Sequence, residues 1–312
     1  MKIAIRASLV FLVAMLTLGA SAAGGATNQA LVVLAPPCCA GGAFTVQTLD
    51  GTAVGSVPVP ATADPLNFAP AANGSVVYND SSEADIATGG GGPVWLVGPG
   101  QPALELDSSP EDFDASISPD GSTVAFARLE PATGASDIYV VESDGSGLTL
   151  VASGDRTNYL SLPTFSPAGG SIAYDCTVAQ SAGSSTSLGC GPVVDGSYRT
   201  TGVMLMNANG SDKRMILAGA AGEVGSMDNL SWSPDGQWLT WTGCAPTGGN
   251  PQSCVSQLFA YRTDGSDLLH ERNPANQVTH FGTEQSPWHA EFSSDGAEML
   301  FMRGVDDSGR EG

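Results

Sequence analysis

The chain has 312 residues, 32 acidic against 11 basic side chains, and a formal net charge of −21. A surface that negative is repelled by DNA, RNA and anionic lipid, which excludes nucleic acid as a partner. Forty glycines and 20 prolines interrupt the chain too often for long helices, so the expectation is all-β.

Residues 1–23 read as a secretory signal peptide. Lys2 and Arg6 supply the positive start, Ser8 to Leu18 is an apolar stretch too short to cross a bilayer comfortably, and Ala20-Ser21-Ala22 offers a small-residue cleavage site. The expectation is a secreted or periplasmic protein with no transmembrane segment in its mature chain.

From there on one pattern recurs. A turn rich in Ser, Pro, Asp and Gly is followed by a short apolar run ending in an aromatic. The copies are FAPAANGSVVY (Phe68 to Tyr78), ISPDGSTVAF (Ile117 to Phe126), FSPAGGSIAY (Phe165 to Tyr174), WSPDGQWLTW (Trp232 to Trp241) and FSSDGAEMLF (Phe292 to Phe301). Interleaved with them are FTVQTLDG (Phe44 to Gly51), IYVVESDG (Ile138 to Gly145), VMLMNANG (Val203 to Gly210) and LFAYRTDG (Leu258 to Gly265), with VWLVGPG (Val94 to Gly100) a degenerate copy. Residues of this kind fit a pleated, half-buried surface, and Asp-Gly or Asn-Gly between apolar runs predicts a hairpin with a type I′ turn.

Each unit therefore supplies strands A and B joined at the SPDG turn, then strands C and D joined at the DG or NG turn. A four-stranded antiparallel unit repeated every 48 to 67 residues predicts a β-propeller. About five blades are visible, in units of approximately 27–58, 65–106, 113–152, 160–219, 228–270 and a partial 288–312, so that residues 24–312 form one propeller domain. Two arrangements of the ends compete. In one, the last A–B hairpin completes a fifth blade with the first C–D hairpin. In the other, Leu31 to Leu34 is a B strand, the last B strand is surplus, and the natural chain is longer; the pattern favours this second arrangement.

The six cysteines fit an oxidising compartment. Cys176 and Cys190 flank the loop between strands B and C of one blade, Cys244 and Cys254 occupy the same places in the next, and no Cys-x-x-Cys spacing suggests zinc. Disulfides Cys176–Cys190 and Cys244–Cys254 are expected. Cys38 and Cys39 sit together in another B–C loop, and either bond to each other or pair elsewhere.

The SPDG turn, the aromatic-ended strand, the long loop and the IYVV-x3-DGSG run (from Ile138) resemble the TolB-type β-propeller repeat of the cell envelope, over roughly Leu31 to Gly312. Similar repeats build the propeller of prolyl-oligopeptidase-like serine hydrolases. The resemblance implies a non-catalytic platform that binds a protein or peptide at the propeller mouth, with no cofactor. The matching positions build blades, so no catalytic residue is carried over. The resemblance is not expected to extend to the extra N-terminal α/β domain that TolB itself has.

Candidate sites are few. Tyr78, Phe126, Tyr174, Trp241 and Phe301 hold one position in every repeat and read as inter-blade core. Glu105, Asp107, Glu111, Asp112 and Asp114 place five carboxylates in ten residues on the connection between two blades, a candidate for calcium or a basic peptide beside the plainer reading of a solvated acidic loop. His280 and His289 flank another such connection and are weak metal candidates, though their spacing matches no metal motif. No Gly-x-Ser-x-Gly elbow occurs. Two alternatives stand beside the binding scaffold: the propeller portion of a prolyl-oligopeptidase-like peptidase, and a metal-dependent propeller polysaccharide lyase.

Overall fold

A computed structural model describes residues 13–16, 31–34, 42–48, 52–81, 91–155, 158–178, 201–218, 228–247, 250–266, 276–282, 285–292, 296 and 299–305. These form six antiparallel sheets in which spatial order follows chain order. The first sheet holds β1 (Val13–Leu16), β2 (Leu31–Leu34), β3 (Ala43–Thr48) and β4 (Ala53–Pro58). The second holds β5 (Pro65–Pro70), β6 (Val76–Asp80), β7 (Val94–Val97) and β8 (Leu104–Asp107). The third holds β9 (Asp112–Ile117), β10 (Thr123–Glu130), β11 (Ala135–Glu142) and β12 (Thr149–Ala152). The fourth holds β13 (Asn158–Phe165), β14 (Ser171–Val178), β15 (Thr201–Asn207) and β16 (Arg214–Ala218). The fifth has three strands, β17 (Asp228–Trp232), β18 (Trp238–Thr247) and β19 (Asn250–Arg262); the sixth has β20 (Gln285–Phe292) and β21 (Met299–Val305).

The first strands of successive sheets meet one another. β5 contacts β9, β9 contacts β13, β13 contacts β17 and β17 contacts β20, while β1 touches both β5 and β20 and closes the circle. The fold is a β-propeller whose A strands surround the axis. β2 is second in its sheet, the B-strand position, and β20–β21 form a sheet of their own rather than joining β2, β3 and β4. The arrangement in which the two ends share one fifth blade is thereby corrected.

Val13–Leu16 lies inside the expected leader, yet its backbone pairs with β2 from Val13↔Leu34 to Leu16↔Leu31. A short apolar run satisfies an open sheet edge as readily as it satisfies a leader. Cleavage after the leader would remove β1 and leave β2 innermost in its sheet.

Two local details depart from the sequence reading. Among the described residues the Asp-Gly and Asn-Gly hairpin turns are not type I′, which needs positive φ at both central residues. Around Asp144 only the following Gly145 is left-handed (φ 84°), with Gly145 N–H donating to Glu142 O at 2.9 Å: a type I turn closed by a glycine bulge. Asp144 instead accepts the Ser146 N–H at 2.9 Å, which is why Asp suits the place. The SPDG turn works likewise: Gly121 has φ 76° and donates to Ser118 O at 2.8 Å. Cys244 and Cys254, in turn, lie not on a loop but on extended β18 and β19, with Cys244 opposite Ser256 and Pro246 opposite Cys254. Their bond remains a proposal. Cys176 is buried and disulfide-bonded; Cys190, Cys38 and Cys39 lie outside the described residues.

The core is divided among the blade interfaces. Phe44, Val46 and Val57 of the first blade pack with Phe68, Val76 and Tyr78 of the second. Phe126 and Val124 join Val77 and Val94 across the second interface, Tyr174 and Ile172 join Ile138 and Val151 across the third, and Trp241 and Leu239 join Val203 and Ile216 across the fourth. Tyr78, Phe126 and Tyr174 are wholly buried and Trp241 is 2 % exposed; Phe301 is half-buried against Phe281, ring centres 5.8 Å apart.

Among the described residues the hydroxyls of Tyr78 and Tyr174 find no hydrogen-bond partner. Their value is therefore apolar. Phe126→Ala should cost about 3–5 kcal/mol of stability, whereas Tyr174→Phe should cost less than about 1 kcal/mol or stabilise, because it deletes an unpaired buried hydroxyl. Urea unfolding of both variants checks the contrast, and a Tyr174→Phe loss as large as that of Phe126→Ala would contradict it.

Candidate functional site

The connections from each D strand to the next A strand lie at one end of the propeller and frame the mouth of its axis. Between the second and third blades this connection is residues 108–111, the heart of the acidic segment. Asp112 opens β9 and is wholly buried. A bare carboxylate there would be prohibitively costly, so it needs a charged partner. β10 supplies it: Arg128 stands opposite Asp112 in the ladder, and its Nε and Nη2 donate to Asp112 Oδ1 and Oδ2 at 2.6 and 3.0 Å. The same Nη2 lies 2.6 Å from Oδ1 of Asp107 at the end of β8. The guanidinium also sits over the rings of Tyr139 and Phe126, 4.7 and 5.5 Å from their centres.

Two carboxylates thus share one guanidinium, and one negative charge is left over. Burial pushes the Asp112 carboxyl up to about 7, against the pull of Arg128 and with help from Asp107. Burial works against the charge on Arg128, but hydrogen bonds and attraction from Asp112 and Asp107 outweigh it and hold the guanidinium protonated. The triad ties the second blade to the third, so Asp107 and Asp112 serve an internal ion pair.

Asp114, two residues on, has a different role. It adopts φ 54°, and its neighbours in register around the axis, Asn67 and Leu162, have φ 46° and 51°. Each stands seven residues before its blade's turn glycine and at a break in the A–B register. Left-handed backbone is tolerable for Asn and Asp and strained for Leu. Asp114 helps hold it: Oδ1 accepts Asn67 Nδ2 at 3.1 Å and Oδ2 accepts the Leu162 N–H at 3.1 Å. One carboxylate at the axis therefore links three consecutive blades. Asn229 and His289 occupy the same offset on β17 and β20, also at register breaks.

His280 is exposed on the stretch beside β19, and His289 belongs to β20; His270 lies outside the described residues. Among the described residues no three His, Cys, Asp or Glu side chains gather as a metal site. Calcium or another metal at Asp107, Asp112, Asp114, His280 or His289 is at most a proposal. The parts of the acidic segment that face water are exposed Glu105 and half-buried Glu111. Among the described residues no helix is long and apolar enough to cross a membrane. The Arg128 triad and the Asp114 bridge were not legible beforehand. The shared offset of Asn67, Asp114 and Asn229, all residues that tolerate positive φ, is the signal that could have revealed the bridge.

No protein-family model matches the chain, and no curated protein matches it. Solved structures do. TolB from Agrobacterium tumefaciens is 20% identical over 83% of this chain and 75% of its own, with a TM-score of 0.52. The β-propeller domain of the Trilobed protease from Pyrococcus furiosus is 8% identical over 95% and 80%, TM-score 0.52. An oligogalacturonate lyase in complex with manganese is 13% identical over 89% and 74%, TM-score 0.50. Identities this low speak to fold alone. The chain has a β-propeller fold of the TolB type, and that fold is shared by TolB, a protease's propeller domain and a lyase.

The Arg128 triad gives a pH signature. With a native value near 7 and an unfolded value near 4, Asp112 holds a proton in the folded chain that the unfolded chain has already released. This contribution to stability is present below about pH 4 and is lost as pH rises through about 7. Asp112→Asn should flatten that part of the stability curve. Denaturation midpoints of both proteins between pH 4 and 8 test it, and parallel curves would contradict the assignment.

Proposed function

We propose that this chain is a non-catalytic, secreted or periplasmic TolB-like scaffold that binds a protein or peptide at its channel mouth. The observation that carries the reading is the division of labour at that mouth. Buried Asp112 and half-buried Asp107, Arg128 and Asp114 are bound to one another and to the blades, while Glu105 is exposed and Glu111 half-buried on the same rim. A rigid acidic rim of this kind favours a partner with basic character. Export rests on the leader pattern: the secreted protein should begin near Gly24, as intact mass measurement will read.

The likeness to a protease propeller and to a lyase keeps two other readings in view, a peptidase's propeller portion and a metal-dependent lyase using His280 and His289. Cleavage of peptide or of acidic polysaccharide by this chain alone would overturn the non-catalytic reading. The direct test places a photo-crosslinking residue at Glu111, on the mouth, and in a second protein at Ser146, on the opposite end. Irradiation in the producing cells should give a discrete protein adduct from position 111 and none from position 146. Adducts from 146 alone, or from neither position in folded protein, would contradict the proposal.

A further inference from the structure

At the end opposite the mouth, where the A–B and C–D turns lie, a groove of about 570 Å³ opens between the fourth and fifth blades. That volume falls within the range of about 300–1,000 Å³ typical of small-molecule sites. Trp232, Pro167, Pro234, Arg214, Asp235 and Asp264 line it.

The groove has a sequence cause. Four residues before the turn glycine the other blades place Pro70, Ile117, Phe165 and Phe292; the fifth places Trp232. Its indole is half-buried, packs against the fourth interface and is fixed by Nε1 donating to Thr164 O at 3.2 Å. It lines the groove as a rigid aromatic wall between two prolines.

The same lining carries both donors and acceptors. Exposed Arg214 donates through Nη2 to Thr263 O at 3.3 Å, and its other N–H groups make no hydrogen bond among the described residues. Asp235 spends Oδ1 on Ser233 Oγ and Gln237 N–H, at 2.6 and 3.0 Å, and its second oxygen has no partner among the described residues. Asp264 spends Oδ1 on Ser266 N–H at 2.8 Å. Those bonds hold both carboxyls below their usual range, so both are ionised.

Two carboxylates beside one guanidinium, in a chain of charge −21, disfavour an anion. Arg214 in the same lining disfavours a cation, and a purely apolar ligand would leave the donors of Arg214 and the second oxygen of Asp235 unused. A hydroxyl both donates and accepts, and a ring of C–H groups suits the negative face of an indole. We propose that this groove binds a neutral carbohydrate, with a pyranose ring on Trp232 and its hydroxyls on Arg214 and Asp235. The proposal does not depend on what the channel mouth binds.

The test is calorimetric titration of the whole secreted chain with maltohexaose, cellohexaose and chitohexaose, each to about 10 mM. At least one should bind. Arg214→Ala, at an exposed site, should weaken it about tenfold with no change in melting temperature, and Trp232→Phe should weaken it while keeping an aromatic in the core. No binding by any of the three, binding unaffected by either substitution, or preferential binding of an anionic polysaccharide or a proline-rich peptide would overturn the assignment.

Discussion

No sheet in this molecule can cover both of its own faces. Each blade contributes at most four short strands, and its stability comes from burying one face on the blade before it and the other on the blade after it. The aromatic within strand B is the side chain on which this depends. Tyr78, Phe126, Tyr174 and Trp241 each sit in a different interface cluster. The core is thus a series of seams, and some polar groups placed in a seam are satisfied from across it. Asn79 does this by accepting Ala115 N–H at 3.0 Å and donating to Gly92 O at 2.9 Å, and Ser136 by exchanging bonds with Leu160 at 2.6 and 2.7 Å.

The axis poses a second demand. A strands converge there, and their free edges carry unpaired backbone groups. Asp114 answers it locally by taking the Leu162 N–H. Position matters more than charge here. Asp112 and Asp114 are two residues apart in a stretch that reads as uniform acidity, yet one is neutralised in a buried ion pair and the other is a bridge across three blades. Of the five carboxylates in that segment, Glu105 alone is exposed. The propeller thereby separates the carboxylates that join its blades from the exposed Glu105.

Much of the fold was legible because repetition is a redundant signal. Five copies of one turn and one aromatic agree, and the second series of turns is recognisable even where a single copy, such as the GPG turn after Val97, is degenerate. The hairpin type was misread because Asp-Gly serves two turns; only the backbone angle of the residue before glycine separates them. The extension of β18 and β19 through Cys244 and Cys254 was hidden by Pro and Gly residues that usually mark loops. The Arg128 triad left no local trace. Arg128 lies 16 and 21 positions from its two carboxylates, and only the β9–β10 register and the closeness of two blades unite them. The groove beside Trp232 is equally invisible in one copy of the repeat, since a Trp among Ile and Phe reads as one more core residue.

The central claim is that inner strands of successive blades circle one axis and are pinned there by Asp114. A crystal structure of the secreted protein tests this most directly. The account predicts A strands around a common channel, with the Asp114 carboxylate bonded to Asn67 on one side and to the Leu162 amide on the other. Sheets stacked face to face as a sandwich, or an Asp114 carboxylate turned away from both neighbours, would contradict it.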